Sequence, residues 1–349
     1  MSRRSVDPTT ASAVALLAGD RATVSHGGAA VTGVSDDSRT VLPGDVFFCI
    51  RGSVTDGHSA AAAAVAAGAT TLVVDHHLAD VPGDVAQVVV PDVRAAVGPV
   101  VSALTGNPAS HLRMVAVTGT NGKTSTAHFI AGILVAAGHR TTVIGTLTGP
   151  RTTPEPVELH SQLADALEEG IDTVVMEVSS HALVLGRVDG IVFDVAVFTN
   201  LSRDHLDFHG TMEDYFAAKA SLFTAARTRS AVVNTGDAHG RRIAEACTVP
   251  LVAYSVSDAQ DLRVGPGSVS FAWRGENVSA KVGGRFMAEN LLAAATAAAA
   301  CGVDAATAPI SGLLPRSRSP PHPNTTITRP VATARTDARR DASASGVCA

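Results

Sequence analysis

The stretch Met114-Val-Ala-Val-Thr-Gly-Thr-Asn-Gly-Lys-Thr-Ser125 joins an apolar run to a segment with helical apolar spacing. Gly119 and Gly122 permit a tight turn that points backbone N–H groups at phosphate oxygens, and the following helix adds the positive end of its dipole. Lys123 would reach terminal phosphates, and the Thr124 hydroxyl would hold Mg²⁺. Val117 stands where the general phosphate loop has its first glycine, so an ordinary strand-to-helix turn is the alternative. The segment predicts a loop for the phosphates of ATP or GTP.

The composition indicates a soluble globular chain. With 349 residues, 46% hydrophobic and 17% charged, two or three domains are expected. No apolar run reaches the length of a membrane span and no signal sequence is recognisable, so we expect a cytoplasmic protein without a membrane partner. The four cysteines are scattered, which argues against a disulfide framework or a zinc site. A net charge of -5 argues against nucleic acid as a partner.

The first part of the chain, residues 1–110, is predicted to be a small α/β domain. An alanine-rich helix is expected at 59–68, ending at a glycine. Asn107-Pro108 marks its boundary, because the residue before proline is disfavoured in a helix. The strands predicted in this part are 46–50, 71–74 and 87–90.

Residues 111–310 alternate between continuously apolar runs and helical patterns, which is typical of a parallel sheet covered on both faces. Thr211-Met-Glu-Asp214 has the form of a capping box at the start of a helix. The predicted strands are 114–117, 142–144, 173–178, 193–198 and 231–234, and the predicted helices are 124–137, 159–169, 211–225 and 289–300.

The apolar pattern stops after residue 310. Residues 311–349 contain five prolines, six arginines and no aromatic residue, which predicts a disordered tail. A solvated extension is the favoured interpretation, and an arm that binds nucleic acid or a partner is the alternative.

Polar residues follow two of the predicted central strands. Glu177 ends one strand, and in parallel sheets ligands gather beyond the carboxyl ends of the strands, where Mg²⁺ prefers oxygen ligands. A carboxylate that caps a helix is the alternative. Asp204, His205 and Asp207 follow the next strand and favour a metal or phosphate site over a structural histidine.

Lys219 is one of only three lysines among 27 basic residues, so it is less easily explained as a generic surface charge. It lies on the helix whose apolar spacing includes Tyr215 and Phe223, on or beside the buried side. A buried ammonium is costly without a partner. Lys219 therefore either pairs with a carboxylate or is modified to an anionic group that binds metal.

These motifs resemble the Mur ligases of peptidoglycan synthesis. The resemblance rests on residues 119–125, on Met-Glu-Val-Ser-Ser-His-Ala-Leu at 176–183, on Thr-Asn-Leu-Ser-Arg-Asp-His-Leu-Asp-Phe-His-Gly at 199–210 and on Tyr-Phe-Ala-Ala-Lys at 215–219. The segment from Asp36 to Phe48 and the Asp56-Gly-His58 triplet resemble the nucleotide-sugar domain of that family. The type that adds the third residue to UDP-MurNAc-L-Ala-D-Glu is the most similar. The resemblance covers about residues 25–310.

The resemblance implies the site residues. It places ATP on Gly119, Thr120, Asn121, Gly122, Lys123, Thr124, Ser125 and Asn290. It implies a catalytic set of Lys123, Glu177, His205 and Lys219, with Lys219 carbamylated, and Mg²⁺ on Thr124, Glu177, His205 and Lys219. The UDP-sugar would contact Asp36, Ser38, Ser53, Val54 and Thr55, and the muramoyl-dipeptide would contact Thr152, Thr153, Ser179 and Arg187. Leu185 and Met287 depart from residues common in the family.

The implied reaction is phosphoryl transfer from ATP to the D-glutamyl carboxylate, followed by attack of a diamino acid, diaminopimelate or lysine, on the acyl phosphate. The implied protein is a monomer. Family members carry a third domain with an Asp-Asn-Pro-Arg segment, which this sequence lacks. We therefore expect a truncated or frame-shifted product with impaired activity. The alternatives are a catalytically silent protein that binds ATP and the UDP-sugar, and a ligase similar to folylpolyglutamate synthetase.

Overall fold

The computed structural model describes residues 3–52 and 55–303. It contains two six-stranded sheets and one three-stranded sheet. The α/β fold class with a parallel central sheet is therefore confirmed. The tail predicted at 311–349 lies outside the described residues.

The first sheet has the strand order β1-β3-β4-β5-β6-β2. Strands β3 to β6 are parallel, and β1 and β2 add antiparallel edges. The strands are β1 (Arg3–Thr10), β2 (Thr23–Val24), β3 (Ala30–Ser35), β4 (Asp45–Phe48), β5 (Thr71–Val74) and β6 (Ala86–Val89).

Successive residues of a strand point to opposite faces of the sheet, so both faces carry apolar side chains, and helices cover both. Phe48 packs in one core with α1 (Ala11–Leu17) and α3 (Val93–Leu104), whereas Phe47 packs in the other with α2 (Ala61–Ala66). A short 3₁₀ turn, Gly57–Ala60, precedes α2. The sequence pattern predicted β4 to β6 and α2. Strands β1 to β3 were missed because they are short, polar or interrupted by Pro8.

The second sheet is wholly parallel, with the strand order β12-β11-β10-β7-β9-β8. Its order places the carboxyl ends of β7, β9 and β10 side by side at the centre. The strands are β7 (Arg113–Thr118), β8 (Thr141–Ile144), β9 (Thr173–Glu177), β10 (Val195–Phe198), β11 (Ala231–Asn234) and β12 (Leu251–Tyr254).

Helices again cover both faces of the second sheet. One core contains α4 (Lys123–Ala136) and α10 (Arg285–Ala300), and the other contains α5 (Pro156–Glu168), α8 (Met212–Ala220) and α9 (Ala238–Ala246). Two shorter helices, α6 (Ser180–Val184) and α7 (Leu206–His209), follow β9 and β10. All five predicted strands and all four predicted helices of this part are present. Helix α8 ends five residues earlier than predicted, and α10 begins four residues earlier.

A small antiparallel meander completes the described residues. It comprises β13 (Gln260–Val264), β14 (Val269–Trp273) and β15 (Glu276–Ala280), and the buried side chains of β14 join the core under α10. No helix in the described part of the chain is long and apolar enough to cross a membrane.

The two large sheets are joined closely through α3 and α5. A Cβ at Gly98 in α3 would lie 2.4 Å from the Asp189 carbonyl oxygen, so the backbones approach at a distance that only glycine allows. Arg4 of β1 also forms an ion pair with Glu168 of α5, at 2.7 Å. These contacts hold the first sheet and its helix α3 against α5 and the segment that precedes β10.

Helix α10 offers a direct test of the core. Leu291 is fully buried, so Leu291→Ala should lower the free energy of unfolding by about 2–5 kcal/mol through lost burial and a cavity. Phe286, on the same helix, is 77% exposed, and Phe286→Ala should change the free energy of unfolding by less than about 0.5 kcal/mol. Urea unfolding of both variants measures this difference. Equal losses would contradict the described packing of α10.

Candidate active site

The loop between β7 and α4 has a conformation that requires its two glycines. Gly119 and Gly122 have φ angles of 146° and 86°. A Cβ at Gly119 would lie 1.9 Å from Thr199 Oγ1, and one at Gly122 would lie 2.3 Å from Asn290 Oδ1. Glycine is therefore needed at both positions for backbone conformation and for space.

Residues after β10 brace this loop. The Thr199 hydroxyl donates to the Asn121 carbonyl oxygen at 2.7 Å. The Asn121 backbone N–H donates to Asn200 Oδ1 at 3.0 Å, and Asn200 Nδ2 donates to the Asn121 carbonyl oxygen at 3.1 Å. The Thr120 N–H donates to the Asn200 carbonyl oxygen at 2.8 Å. The loop is therefore held in a fixed shape by its neighbouring strand end.

Lys123 folds back over its own loop. Its Nζ donates to the carbonyl oxygens of Gly119 and Thr120, each at 2.9 Å. Burial lowers the pKa of Lys123, while the charges of Glu177 and Asp204 act in the opposite direction. The amine lies where an anion presented to the loop would meet it.

Glu177 ends β9 and is only 1% exposed. Its Oε2 accepts from the Thr124 hydroxyl at 2.8 Å, and its Oε1 accepts from the Thr146 N–H at 2.9 Å. The Thr146 hydroxyl also lies 3.0 Å from the Thr152 hydroxyl. A Cβ at Gly145 would lie 2.3 Å from Glu177 Oε1, so the turn after β8 must approach the carboxylate closely.

Lys219 is 1% exposed and donates to the same Gly119 carbonyl oxygen that Lys123 contacts, at 2.9 Å. Its Nζ lies 4.7 Å from the centre of the Tyr215 ring. Among residues 3–52 and 55–303, no carboxylate forms an ion pair with Lys219, and its side chain is not exposed. Burial, and then the charge of Lys123, hold the pKa of Lys219 well below its usual range. An amine in this environment favours its neutral, nucleophilic form.

His205 lies outside the Glu177 contacts, at the start of α7. It has a left-handed backbone with φ of 52°, and its ring centre lies 5.0 Å from that of His181 and 6.1 Å from that of Tyr215. His209 donates to or accepts from Ser180 Oγ at 2.9 Å. The Tyr215 ring thus lies near both His205 and Lys219, and the role of His205 as a metal ligand stays a prediction.

The four residues predicted to hold the muramoyl-dipeptide lie together around the end of β9. The Thr153 hydroxyl donates to the Glu177 carbonyl oxygen at 2.9 Å and accepts from the Ser179 N–H at 3.1 Å. Arg187 donates to the Thr153 carbonyl oxygen at 3.2 Å and pairs with Glu155 at 2.7 Å. The Thr152 hydroxyl contacts the hydroxyl of Thr146, whose backbone N–H donates to Glu177 Oε1.

Asp36 follows β3 at the side of the first sheet that faces Glu155. Burial, and then the negative charge of Glu155, raise the pKa of Asp36 to about 7. Ser38 is half-buried and Thr55 is exposed. Ser53 and Val54 lie outside the described residues. The contacts predicted between these five residues and a UDP-sugar stay predictions.

The donor set near the loop suits a hard divalent cation. The Thr124 hydroxyl and the Glu177 carboxylate are oxygen donors in contact at the carboxyl edge of the sheet, and Mg²⁺ prefers such ligands. The two residues therefore fit the predicted Mg²⁺, with Lys219 able to contribute oxygen only after carbamylation. The metal-binding roles themselves stay predictions.

Three contributors to the site were not assigned from the sequence. Asn200 and Thr199 were quoted only as part of a motif, although they brace the loop. Thr146 was missed, and its position directly after a predicted strand was the available signal.

Two family models match this chain. The Mur ligase middle domain matches residues 117–298, and the Mur ligase family, catalytic domain, matches residues 30–107. Among curated proteins, UDP-N-acetylmuramoyl-L-alanyl-D-glutamate--2,6-diaminopimelate ligase of Streptomyces coelicolor is 42% identical over 301 residues, covering 80% of this chain and 59% of the relative. The protein of the same name from Xanthomonas campestris is 43% identical over 82% of this chain and 62% of the relative.

Solved structures give the same result. A structure of UDP-N-acetylmuramoyl-L-alanyl-D-glutamate--2,6-diaminopimelate ligase matches with a TM-score of 0.69 and 32% identity, covering 78% of this chain and 60% of that one. A structure of UDP-N-acetylmuramoylalanyl-D-glutamyl-2,6-diaminopimelate--D-alanyl-D-alanyl ligase from Acinetobacter baumannii has a TM-score of 0.64 at 22% identity, covers 87% of this chain and 68% of that one, and supports the fold alone. This chain thus spans about three fifths of the length of the curated relatives it matches. By its matched domains and the identity of its relatives, the chain belongs to the Mur ligase family.

Proposed function

We propose that the chain acts in an ATP-dependent, amide-bond-forming ligase of peptidoglycan precursor synthesis. It would add a diamino acid to UDP-MurNAc-L-Ala-D-Glu. The observation that carries this proposal is the contact of Thr124, in the phosphate loop, with Glu177, next to the predicted dipeptide residues Thr153 and Ser179. The curated relatives are diaminopimelate ligases, which favours diaminopimelate over lysine as the added residue.

The proposed chemistry has two steps. The γ-phosphoryl group of ATP passes to an oxygen of the D-glutamyl carboxylate and ADP leaves, which gives an acyl phosphate. The amine of the diamino acid then attacks the acyl carbon, phosphate leaves and the amine loses a proton. Lys123 and the loop N–H groups would stabilise charge on the transferring phosphoryl group by electrostatic positioning. Arg187 would orient the substrate carboxylate from beside Thr153.

A bound Mg²⁺ would supply Lewis-acid stabilisation of phosphate charge. Thr124 and Glu177 are the residues best arranged to hold it, and His205 and Lys219 complete the predicted set. Lys219 would do so as a carbamate, formed when its neutral amine attacks CO₂ and loses a proton. The carbamate would place an anion beside Lys123, at a position where burial and the charge of Lys123 disfavour a cation.

The family match over residues 30–107 supports the Mur type over the alternative similar to folylpolyglutamate synthetase, since that enzyme type lacks the sugar domain. A monomer in the cytoplasm remains part of the proposal.

An assay of ATP-dependent amide formation separates the ligase from a silent binding protein. The chain is incubated with Mg·ATP, UDP-MurNAc-L-Ala-D-Glu and diaminopimelate, alone and with a separately produced fragment that carries the third domain of a relative. The proposal predicts tripeptide formation at least with the fragment present. Binding of both nucleotides without any product would support the silent protein, and binding of neither would contradict both.

Gly122→Ala tests the nucleotide site. The added methyl group meets Asn290 and strains a residue with positive φ, so ATP affinity should fall at least about tenfold, equivalent to about 1.4 kcal/mol. Gly138→Ala is the matched control, since Gly138 has a similar φ of 94° at the end of the same helix but open space around it. Both variants should lose stability through backbone strain, with the larger loss in Gly122→Ala, and only Gly122→Ala should show weaker ATP binding by calorimetry. Unchanged ATP affinity in Gly122→Ala would refute the loop assignment.

Lys219→Ala tests the carbamate. ADP formation should fall at least about 100-fold, the scale expected when an electrostatic group is removed from a transfer site. Affinity for UDP-MurNAc-L-Ala-D-Glu should stay within about twofold, because Lys219 contacts the phosphate loop and not the dipeptide residues. Lys281→Ala, at an exposed lysine, is the control.

A second measurement is independent of activity. With ¹³C-bicarbonate, a carbamate carbonyl signal should appear in the NMR spectrum of the parent chain and of Lys281→Ala, and be missing in Lys219→Ala. Short carboxylic acids should partly restore ADP formation to Lys219→Ala. A signal that persists in Lys219→Ala would show that the modified amine is another group.

A further inference from the structure

We propose that the first sheet carries a separate site for a transition-metal ion, formed by His58, Asp75 and His76. One ligand atom from each residue lies within 4.8 Å of the other two. Asp75 and His76 directly follow β5, and His58 lies in the 3₁₀ turn after β4. Because β4 and β5 are parallel neighbours, their carboxyl ends bring these side chains to one edge of the sheet.

The three groups converge on one carboxylate oxygen. Oδ1 of Asp75 lies 3.3 Å from His58 Nε2 and 2.5 Å from His76 Nδ1. The two imidazole rings stack with centres 5.0 Å apart and an interplanar angle of 26°. Two imidazoles and one carboxylate facing a common point form a donor set that non-haem iron, zinc, nickel and cobalt ions use.

His58 is already oriented as a ligand. Its side chain is only 7% exposed, and its Nδ1 lies 2.6 Å from Asp56 Oδ1. The Asp75 backbone N–H lies in donating geometry 3.3 Å from His58 Nε2, which fits the tautomer whose proton is on Nδ1 facing Asp56, and a bound ion would replace this N–H at the Nε2 lone pair. A carboxylate behind the far nitrogen of a histidine is the arrangement that orients metal-bound histidines and raises their basicity.

The nitrogen donors determine which cation fits. Arg51 also contacts the carboxylate: its Nε lies 2.8 Å from Asp75 Oδ2, and its Nη2 lies 3.3 Å from Oδ1, the oxygen that His58 and His76 contact. The two negative charges of Asp56 and Asp75 outweigh the positive charge of Arg51. The two imidazole nitrogens disfavour Mg²⁺ and Ca²⁺, whereas Zn²⁺, Ni²⁺ and Co²⁺ bind imidazole well.

The proposed ion uses none of the residues around the phosphate loop, although His58 and Asp56 belong to the triplet that resembles the nucleotide-sugar domain and directly follows Thr55. It would connect the turn after β4 to the end of β5. Binding that is restricted to the folded state raises the unfolding temperature, which gives a readout other than activity.

Calorimetric titration of the tag-free, chelator-treated chain with Zn²⁺ tests the site, in buffer with excess Mg²⁺ and ADP to occupy the phosphate loop. One Zn²⁺ per chain should bind at this site. His76→Ala should weaken that binding at least about tenfold, and Asp56→Asn should weaken it by about 10–100-fold through lost orientation of His58. His77→Ala is the matched control, because His77 is the next residue, is exposed and lies outside the group of three.

The side chain of His76 is 55% exposed, so His76→Ala should unfold at the same temperature as the parent chain when metal is absent. With Zn²⁺, the unfolding temperature should rise for the parent chain and His77→Ala but not for His76→Ala. The proposal is overturned if the parent chain binds no Zn²⁺, if His76→Ala binds it as tightly as the parent, or if His77→Ala loses binding equally. If His181, His205 and His209 held the Zn²⁺ instead, His76→Ala would bind it as tightly as the parent chain, and the proposal would be overturned.

Discussion

The hydrogen bond from Thr124 Oγ1 to Glu177 Oε2, at 2.8 Å, connects the start of α4 to the end of β9 and defines the site. It exists because β7 and β9 are adjacent in a parallel sheet, so the loop after one strand meets the last residue of the next. Thr146, Thr153 and Ser179 are arranged around the same strand end. The residues predicted to bind the nucleotide and the dipeptide therefore meet at Glu177: Thr124 contacts its carboxylate, and Thr153 contacts its backbone carbonyl oxygen.

Two lysines create the main electrostatic problem of the site. Lys123 and Lys219 both donate to the Gly119 carbonyl oxygen, and the burial of each lowers its pKa. Phosphate groups would provide Lys123 with anionic partners, whereas Lys219 is shielded beneath Tyr215. Carbamylation would make Lys219 an anion with two oxygen atoms, so one modification would turn the repulsion from Lys123 into attraction and complete a set of oxygen ligands.

Much of this arrangement was predictable from the sequence, for physical reasons. The phosphate loop follows from the Gly119 and Gly122 spacing, and Glu177 from its position at the end of a continuously apolar strand. The adjacency of β8 to β9, which brings Thr146 to Glu177, depends on strand order and cannot be read from local patterns. The bracing by Asn200 depends on the adjacency of β7 and β10 for the same reason. Strand β1 was missed because it is polar and contains Pro8, and its stability comes from pairing with β3.

The most direct test of the central claim is a crystal structure of the chain with Mg²⁺ and a non-hydrolysable ATP analogue, grown in the presence of bicarbonate. The account predicts triphosphate on the N–H groups of residues 119–124, the metal ion on Thr124 and Glu177, and a carbamate on Lys219. A triphosphate bound elsewhere, or a metal ion that contacts neither Thr124 nor Glu177, would contradict it.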